Sequence, residues 1–462
     1  AEWQRLGRSG ATLPLIGVWL LAPAIARRAS RPGTATPIAP LSPAERLSLE
    51  LIARRTWSFF ATFVTAESNH LPPDNFQETP HPTIAQRTSP TNIGLYLLST
   101  VAAYDFAWIA APELADRVEA TLQTIRTLEH HRGHLFNWYD THDLRALEPK
   151  YVSSVDSGNL TGALITLANA LRELAGGPAA GDAALVARLR ALAADALAMV
   201  AATEFGFLFD ATRMLFSIGY RAADGSLDEG RYDLLASEAR LLSFIAIAKG
   251  DVPTRHWFRL GRLLTPVGRD SVLMSWSGSM FEYLMPGLLM RSPIGSLLEQ
   301  TCRLAIQRHV EYGGERGVPW GMSESGYNVR DLAMTYQYSG FGVPGLGLRR
   351  GLSDDVVVAP YATALAAMYE PHDALRNFTA LTAAGADGQH GFYESVDYTP
   401  KRLPAGKTHE VVRMYMAHHQ GMVIVAIANA LNAGAMRTRF HAEPMVRASE
   451  LLLQERTPRD VA

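Results

Sequence analysis

Cysteine is almost absent from this 462-residue sequence; Cys302 stands alone. No internal disulfide can form, so a secreted scaffold would have no staples, and a reducing compartment fits better. Cys302 lies in the helical pattern EQTCRLAIQRHV and reads as a buried, inert thiol. Excess charge is missing as well. Lysine plus arginine (43) nearly balances aspartate plus glutamate (45), which leaves no basic field to attract nucleic acid. GVPGLGLRRG has glycines but neither the spacing nor the βαβ surroundings of a dinucleotide fingerprint. LEHHRGH offers His130, His131 and His134 without a zinc-protease pattern or a cysteine partner, so neither metal nor cofactor is expected. SWSGSM lacks the glycines of a nucleophile elbow.

What is present is apolar residue in quantity, 48% of the chain, enough to fill a large core. The run Leu13 to Ala26 is shorter than the ~20 residues that cross a bilayer, and Arg27 and Arg28 follow it at once. It is expected to be the remnant of a truncated membrane helix, with the arginines placing the rest on the cytoplasmic side; a secretory signal is the competing reading. SRPGTATPIAPLSP then reads as an extended linker. The expected division is residues 1–41 as remnant and linker, and 42–462 as one catalytic domain.

That domain opens with a capping box, Ser42 to Glu45, ahead of a helix whose Leu47, Leu51, Phe59 and Phe63 recur at helical spacing. Helices with one wet face follow, such as PELADRVEATLQTIRTLEH with Leu114, Val118, Leu122 and Ile125 in a stripe. They alternate with helices that are apolar all round, among them NIGLYLLSTVAA, GNLTGALITLANAL, YATALAAMYE and HHQGMVIVAIANAL. Each of these is introduced by a polar cluster. About six such alternations predict an all-α fold, an (α/α)6 barrel with a few short β-hairpins, one of them turning near Asp210, and with the polar clusters gathered at one mouth.

Carboxylates beside aromatics are the remaining signal: Asp74, Glu78, Asp140, Asp156, Glu282, Glu324, Glu394, Asp397 and Glu410. Any one of them also serves as a helix N-cap. Together with Trp and Tyr faces they are the groups that grip sugars, and a glycosidic bond is broken by two carboxyl groups, one protonated and one charged. Composition does not choose the pair. It says that Glu324, in GMSESGYN, has few cationic neighbours and would keep its proton, whereas Lys407 and Arg413 flank Glu410 and would keep it ionised.

The ordered motifs NFQE, RTSPTNIGLYLLSTVAAYDF, NWYDTHDL, YVSSVDSGNL, YDLLASEARL, SWSGSMFEYLMP, PWGMSESGYN, YQYSGFGVPGLGL, APYATALAAM, GFYESVDYTP and YMAHHQGM closely resemble the middle region of bacterial cyclic β-1,2-glucan synthases. The apolar N-terminal piece resembles the last membrane helix of the glycosyltransferase part that precedes this region. The resemblance implies an anomer-retaining transglycosylase that closes linear β-1,2-glucan into a ring at the cytoplasmic face of the inner membrane. Its partners would be linear and cyclic glucan and the glycosyltransferase and phosphorylase-like regions of the same polypeptide. It implies Glu324 as acid/base and Glu410 as nucleophile, with the proton passed directly or through a substrate hydroxyl. Trp138, Tyr139, Trp276, Tyr327 and Tyr393 are the expected sugar platforms. Arg87, Asp140, Asp156, Asn159, Glu282, His418, His419 and Gln420 are the expected hydrogen-bonding partners, each with a structural role as its alternative. The rival functions are an inverting endo-β-1,2-glucanase, a phosphorylase and a non-catalytic glucan-binding scaffold.

Overall fold

The computed structural model describes residues 16–17, 19–24, 39–177 and 181–456. Residues 16–17 and 19–24 are helical; the rest of the expected membrane remnant, and the linker up to residue 38, lie outside the described residues.

In chain order the helices are α1 (Pro43–Phe63), α2 (Pro90–Asp105), α3 (Ala111–Thr127), α4 (Ser154–Gly176), α5 (Ala183–Ala202), α6 (Ala239–Lys249), α7 (Arg255–Arg259), α8 (Met280–Leu284), α9 (Leu297–Arg316), α10 (Pro360–Ala366), α11 (Pro371–Ala383), α12 (Ala417–Leu431) and α13 (Ala435–Ala442). The capping box forms: the Glu45 carboxylate accepts from the Ser42 backbone at 2.8 Å while the Ser42 hydroxyl accepts from the Glu45 backbone. Of the expected stripe of α1, Phe59 is buried and Phe63 packs on the core, but the leucines differ: the stripe runs through Leu49, Ala53, Trp57 and Phe60, whereas Leu47 and Leu51 are 54% and 53% exposed. Leu47 with Leu51 and Leu49 with Ala53 both have helical spacing, and the large rings of Trp57 and Phe60 decide which pair turns inward.

The helices that are apolar all round are buried. Helix α2 packs on α4, α4 on α6, α8 on α10, α10 on α12, and α12 returns to α2. The step from α6 to α8 is made by Arg240, a buried side chain whose guanidinium donates to the backbone carbonyls of Glu282 and Tyr283. Helices with one wet side lie outside this ring: α3 buries Leu114, Val118, Leu122 and Ile125, and α5 packs on both α3 and α4. By length and composition the apolar run Ala183–Leu208 could also cross a membrane, yet here it packs on the ring. Neighbouring inner helices approach closely enough to demand glycine. A Cβ on Gly158 would lie 2.8 Å from that of Leu242, and one on Gly421 would lie 2.6 Å from that of Leu95.

The strands are short. The hairpin at Asp210 pairs Phe209–Asp210 with Leu215–Phe216. Others feed directly into inner helices: Arg87–Thr88 leads to α2, Tyr151–Ser153 to α4, Val357–Val358 to α10 and Met414–Met416 to α12. At the opposite end of the ring Arg439, on α13, holds Asp105 at the end of α2 and Glu173 near the end of α4.

Candidate active site

Serines cap the inner helices: Ser89, Ser153 and Ser279 accept from the third residue of α2, α4 and α8. The first turns beyond these caps are tied to one another, so they converge on one mouth. The Thr91 hydroxyl of α2 donates to Asp156 of α4 at 2.5 Å, and the Asn159 amide of α4 bonds Thr91 at 3.0 Å and Glu238, at the start of α6, at 2.7 Å. Ser237, held in the left-handed region at φ 53°, donates its hydroxyl to Glu238 and its backbone N–H to Glu282 of α8 at 3.3 Å. On the far side Tyr361 of α10 stacks on His419 of α12 with ring centroids 3.7 Å apart.

Glu324 enters this mouth between α8 and α10, just before the strand Ser325–Arg330. Its carboxyl makes no hydrogen bond among the described residues. Burial, with repulsion from Glu238 and then Glu282, pushes it well above the usual carboxylate range. Glu238 is raised too, by burial first, but hydrogen bonds from Ser237 and Asn159 and repulsion from Asp156 divide in sign, the bonds favouring its charged form. Glu282 accepts from the Ser277 N–H and hydroxyl at 2.9 and 2.7 Å as well as from Ser237, so its oxygens are engaged by the protein. The arrangement therefore sets a carboxyl without a hydrogen bond among the described residues against two that the protein bonds, and a pair of carboxyl groups in different surroundings is what glycosidic chemistry uses.

Three of the expected hydrogen-bonding residues are tied together at these first turns. Asp156, Asn159 and Glu282 are in the network just described. His418 and His419 head α12; burial draws His418 down to about 3 and His419 well below its ordinary value, so both are neutral. Arg87 pairs with the buried Asp74 at 3.0 Å and lies over the Trp138 ring at 4.5 Å. Trp276 is 59% exposed and immediately precedes Ser277, a ligand of Glu282. Tyr327 is half-buried between Arg402, 5.0 Å above its ring, and Phe341.

Others are corrected. Tyr139 is fully buried and its hydroxyl bonds the Glu129 carbonyl and the Phe136 N–H, so it is core. Tyr393 is buried against Tyr415 and donates to Glu78 at 2.7 Å. Asp140 caps its own turn, accepting from His142 at 2.8 Å and Asp143 at 3.2 Å. Gln420 is buried beneath the Phe392 carbonyl. Glu410 does not join Glu324. Its strand, Glu410–Val412, pairs with Ser395–Asp397, and Glu410 forms an ion pair at 2.6 Å with Lys407. It lines a separate cavity of about 370 Å³ with Gly385, His409 and Arg413. Of the flanking cations that suggested an ionised nucleophile, Lys407 is its ion-pair partner and Arg413 lies over the Tyr393 ring at 5.7 Å.

Sequence reading does not single out Glu238 or Tyr361. Glu238 sits in YDLLASEARL, a segment conspicuous for its apolar helix rather than its acid. A usable signal existed: like Asp156 and Glu282, it is a carboxylate at the N-terminal end of a helix that is apolar all round.

Fold comparison gives the class first. The endo-beta-1,2-glucanase of Chitinophaga pinensis, solved with sophorotriose and glucose, superposes with a TM-score of 0.70 at 13% identity, covering 91% of this chain and 100% of that one. The endo-beta-1,2-glucanase of Talaromyces funiculosus, solved with sophorose, gives 0.67 at 15% identity over 91% and 96%. The Glycoamylase family model matches residues 231–444. At the level of sequence the chain is 42% identical, across 97% of its length, to the cyclic beta-(1,2)-glucan synthase NdvB of Rhizobium meliloti (strain 1021), and spans 20% of that protein. The chain is thus similar to a one-fifth segment of a cyclic β-1,2-glucan synthase, on a fold shared with endo-β-1,2-glucanases.

Proposed function

We propose that this chain is a glycoside-hydrolase-type transglycosylase that closes linear β-1,2-glucan into a ring by an anomer-retaining route. The observation that carries the reading is the Glu324 carboxyl, without a hydrogen bond among the described residues and facing the charge of Glu238 in one mouth, pushed by burial and by that charge well above the usual range, and the similarity to NdvB supports the substrate. The six-membered ring of buried helices with outer partners is read as an (α/α)6 barrel. Glu324 gives its proton to the departing glycosidic oxygen, directly or through a substrate hydroxyl. Glu238 attacks the anomeric carbon, taking the place Glu410 was expected to hold, and the non-reducing part of the glucan remains as a glycosyl ester. The 2-hydroxyl at the free end of the same chain then displaces Glu238 and returns a proton to Glu324. A tethered end reaches effective concentrations on the order of millimolar, which favours closure over release as long as water is poorly ordered. In the parent polypeptide this domain would follow a membrane helix, act at the cytoplasmic face of the inner membrane and receive glucan from a glycosyltransferase region.

The likeness in fold to endo-β-1,2-glucanases favours a second reading, inverting hydrolysis. Incubation with linear β-1,2-glucan followed by mass spectrometry separates the two. Rings are one water lighter than linear chains of equal length, and a product set of shorter linear chains alone overturns cyclisation.

A further inference from the structure

Since no hydrogen bond from the described residues reaches the Glu324 carboxyl, its aim depends on how its backbone is held. Two bonds hold it. The Tyr361 hydroxyl donates to the Glu324 carbonyl at 2.9 Å and meets the Ser323 hydroxyl at 2.8 Å. Two residues further on, the Gly326 N–H donates to Glu394 at 3.0 Å. Tyr361 and Glu394 come from different elements, and one side chain joins them: His419, whose ring stacks on Tyr361 and whose Nδ1 lies 2.9 and 3.0 Å from the two Glu394 oxygens. His419 and Glu394 are both buried, 1% and 2% exposed, and Nε2 of His419 has no partner among the described residues, so the Glu394 bond and the rings packed on it, Tyr361 at 3.7 Å and His418 at 4.0 Å, orient the imidazole. Gly326 leaves the needed room, because a Cβ there would sit 3.2 Å from Cγ of Glu394 and 2.5 Å from Cε of Met414.

We propose that His419 is a positioning residue for Glu324, acting through Tyr361 on one side of the acid and through Glu394 and Gly326 on the other. The proposal rests on the reading of Glu324 as the proton donor. An error of ~1 Å in placing a reacting group costs on the order of a hundredfold in rate, so loosening either arm should lower turnover without touching glucan affinity. His419→Phe keeps a ring against Tyr361 and removes the Nδ1 bond; His419→Asn places an amide where Nδ1 was and removes the stack; Tyr361→Phe removes only the hydroxyl.

Each variant, together with Glu324→Gln, is assayed with linear β-1,2-glucan for kcat, KM and the pH dependence of kcat. The expected result is a fall in kcat of about tenfold to a hundredfold for His419→Phe and Tyr361→Phe with KM within about twofold. The pH limb that reports Glu324 should move, His419→Asn should recover part of the loss, and the His419→Phe/Tyr361→Phe double variant should fall short of the product of the single effects. An inactive Glu324→Gln alongside a Tyr361→Phe that keeps wild-type kcat and an unmoved pH limb overturns the positioning role. Wild-type turnover by Glu324→Gln overturns the reading of the acid itself. Tyr361→Phe loses one hydroxyl and no ring, so it tests the proposal even where a His419 variant does not fold.

Discussion

Asn159 Nδ2 lies 2.7 Å from an oxygen of Glu238 and 3.0 Å from the Thr91 hydroxyl, so one amide of α4 uses both of its protons to join α2 and α6 at the mouth. Glu238 is thereby fixed by a neutral donor in a place without a cationic partner among its hydrogen bonds, and it remains available to attack carbon. Glu410, bonded to Lys407 at the rim, is the opposite case.

Substituting these two acids separates the two candidates for nucleophile. Glu238→Gln keeps an oxygen for Asn159 but cannot form a glycosyl ester, and its activity on linear β-1,2-glucan should fall by at least 10³-fold, about 4 kcal/mol of barrier. Glu410→Gln breaks a half-exposed ion pair, an interaction worth ~0–1 kcal/mol, and should leave kcat within about twofold. Product analysis of the purified variants decides it; the reverse pattern would return the role to Glu410.

Glu324 should cost the fold stability. Its folded-state value is raised above that of an unfolded glutamate, ~4.3, so the native state holds the proton at pH values where the unfolded chain has released it. Stability is then greatest in acid and declines as pH rises from the unfolded value through the folded one. Glu324→Gln removes this decline. Its melting midpoint at pH 7–8 should exceed that of the wild type, by about 2 °C for each kcal/mol relieved in a chain of this size, while the two converge near pH 4. Calorimetry across that range, showing no gain for the variant at neutral pH, would contradict the placement of Glu324 in a poorly solvated mouth.

The alternation of wet and dry helices was legible because burial on every side demands an all-round apolar sequence, and α2, α4 and α12 comply. The upward shift of the Glu324 carboxyl was legible because the octapeptide around it, GMSESGYN, carries no cation. Glu238 was not, since the amide that fixes it, Asn159, is remote in the chain, and only the packing of α4 against α6 brings the two together. Tyr139 and Tyr393 misled for the matching reason. A tyrosine beside a carboxylate looks the same in sequence whether its hydroxyl meets sugar or, as here, Glu129 and Glu78. The stripe of α1 was misread only at a finer level, where Leu47 and Leu51 satisfy the same periodicity as the buried Leu49 and Ala53.

Packing and catalysis should be coupled at Gly158. An alanine methyl there would press on Leu242 at 2.8 Å from its Cβ and 2.9 Å from its Cα, and Leu242 is one turn along α6 from Glu238. Backbone cannot rotate away as a side chain can, so α4 and α6 must separate. Gly158→Ala should lose about 1–3 kcal/mol in urea unfolding, and kcat should fall more than KM rises because both Asn159 and Glu238 ride on the displaced helices. Unchanged stability would mean that the two helices pack less tightly than described.

At the other end of the ring, Arg439 tests whether an ion cluster there merely decorates the fold. Its side chain is 9% exposed and grips Asp105, 12% exposed, and Glu173, 61% exposed. Removing the cation leaves Asp105 charged and mostly out of water, and breaking a buried pair in this way typically costs about 3–5 kcal/mol. Glu173 is solvated and adds little. Arg439→Met should therefore be destabilised by an amount in that range, and Arg439→Met with Asp105→Asn by distinctly less, because the second change removes the stranded charge. Urea titrations of the two variants check this, and equal losses in both would show that Arg439 contributes through packing of its stem rather than through its charge.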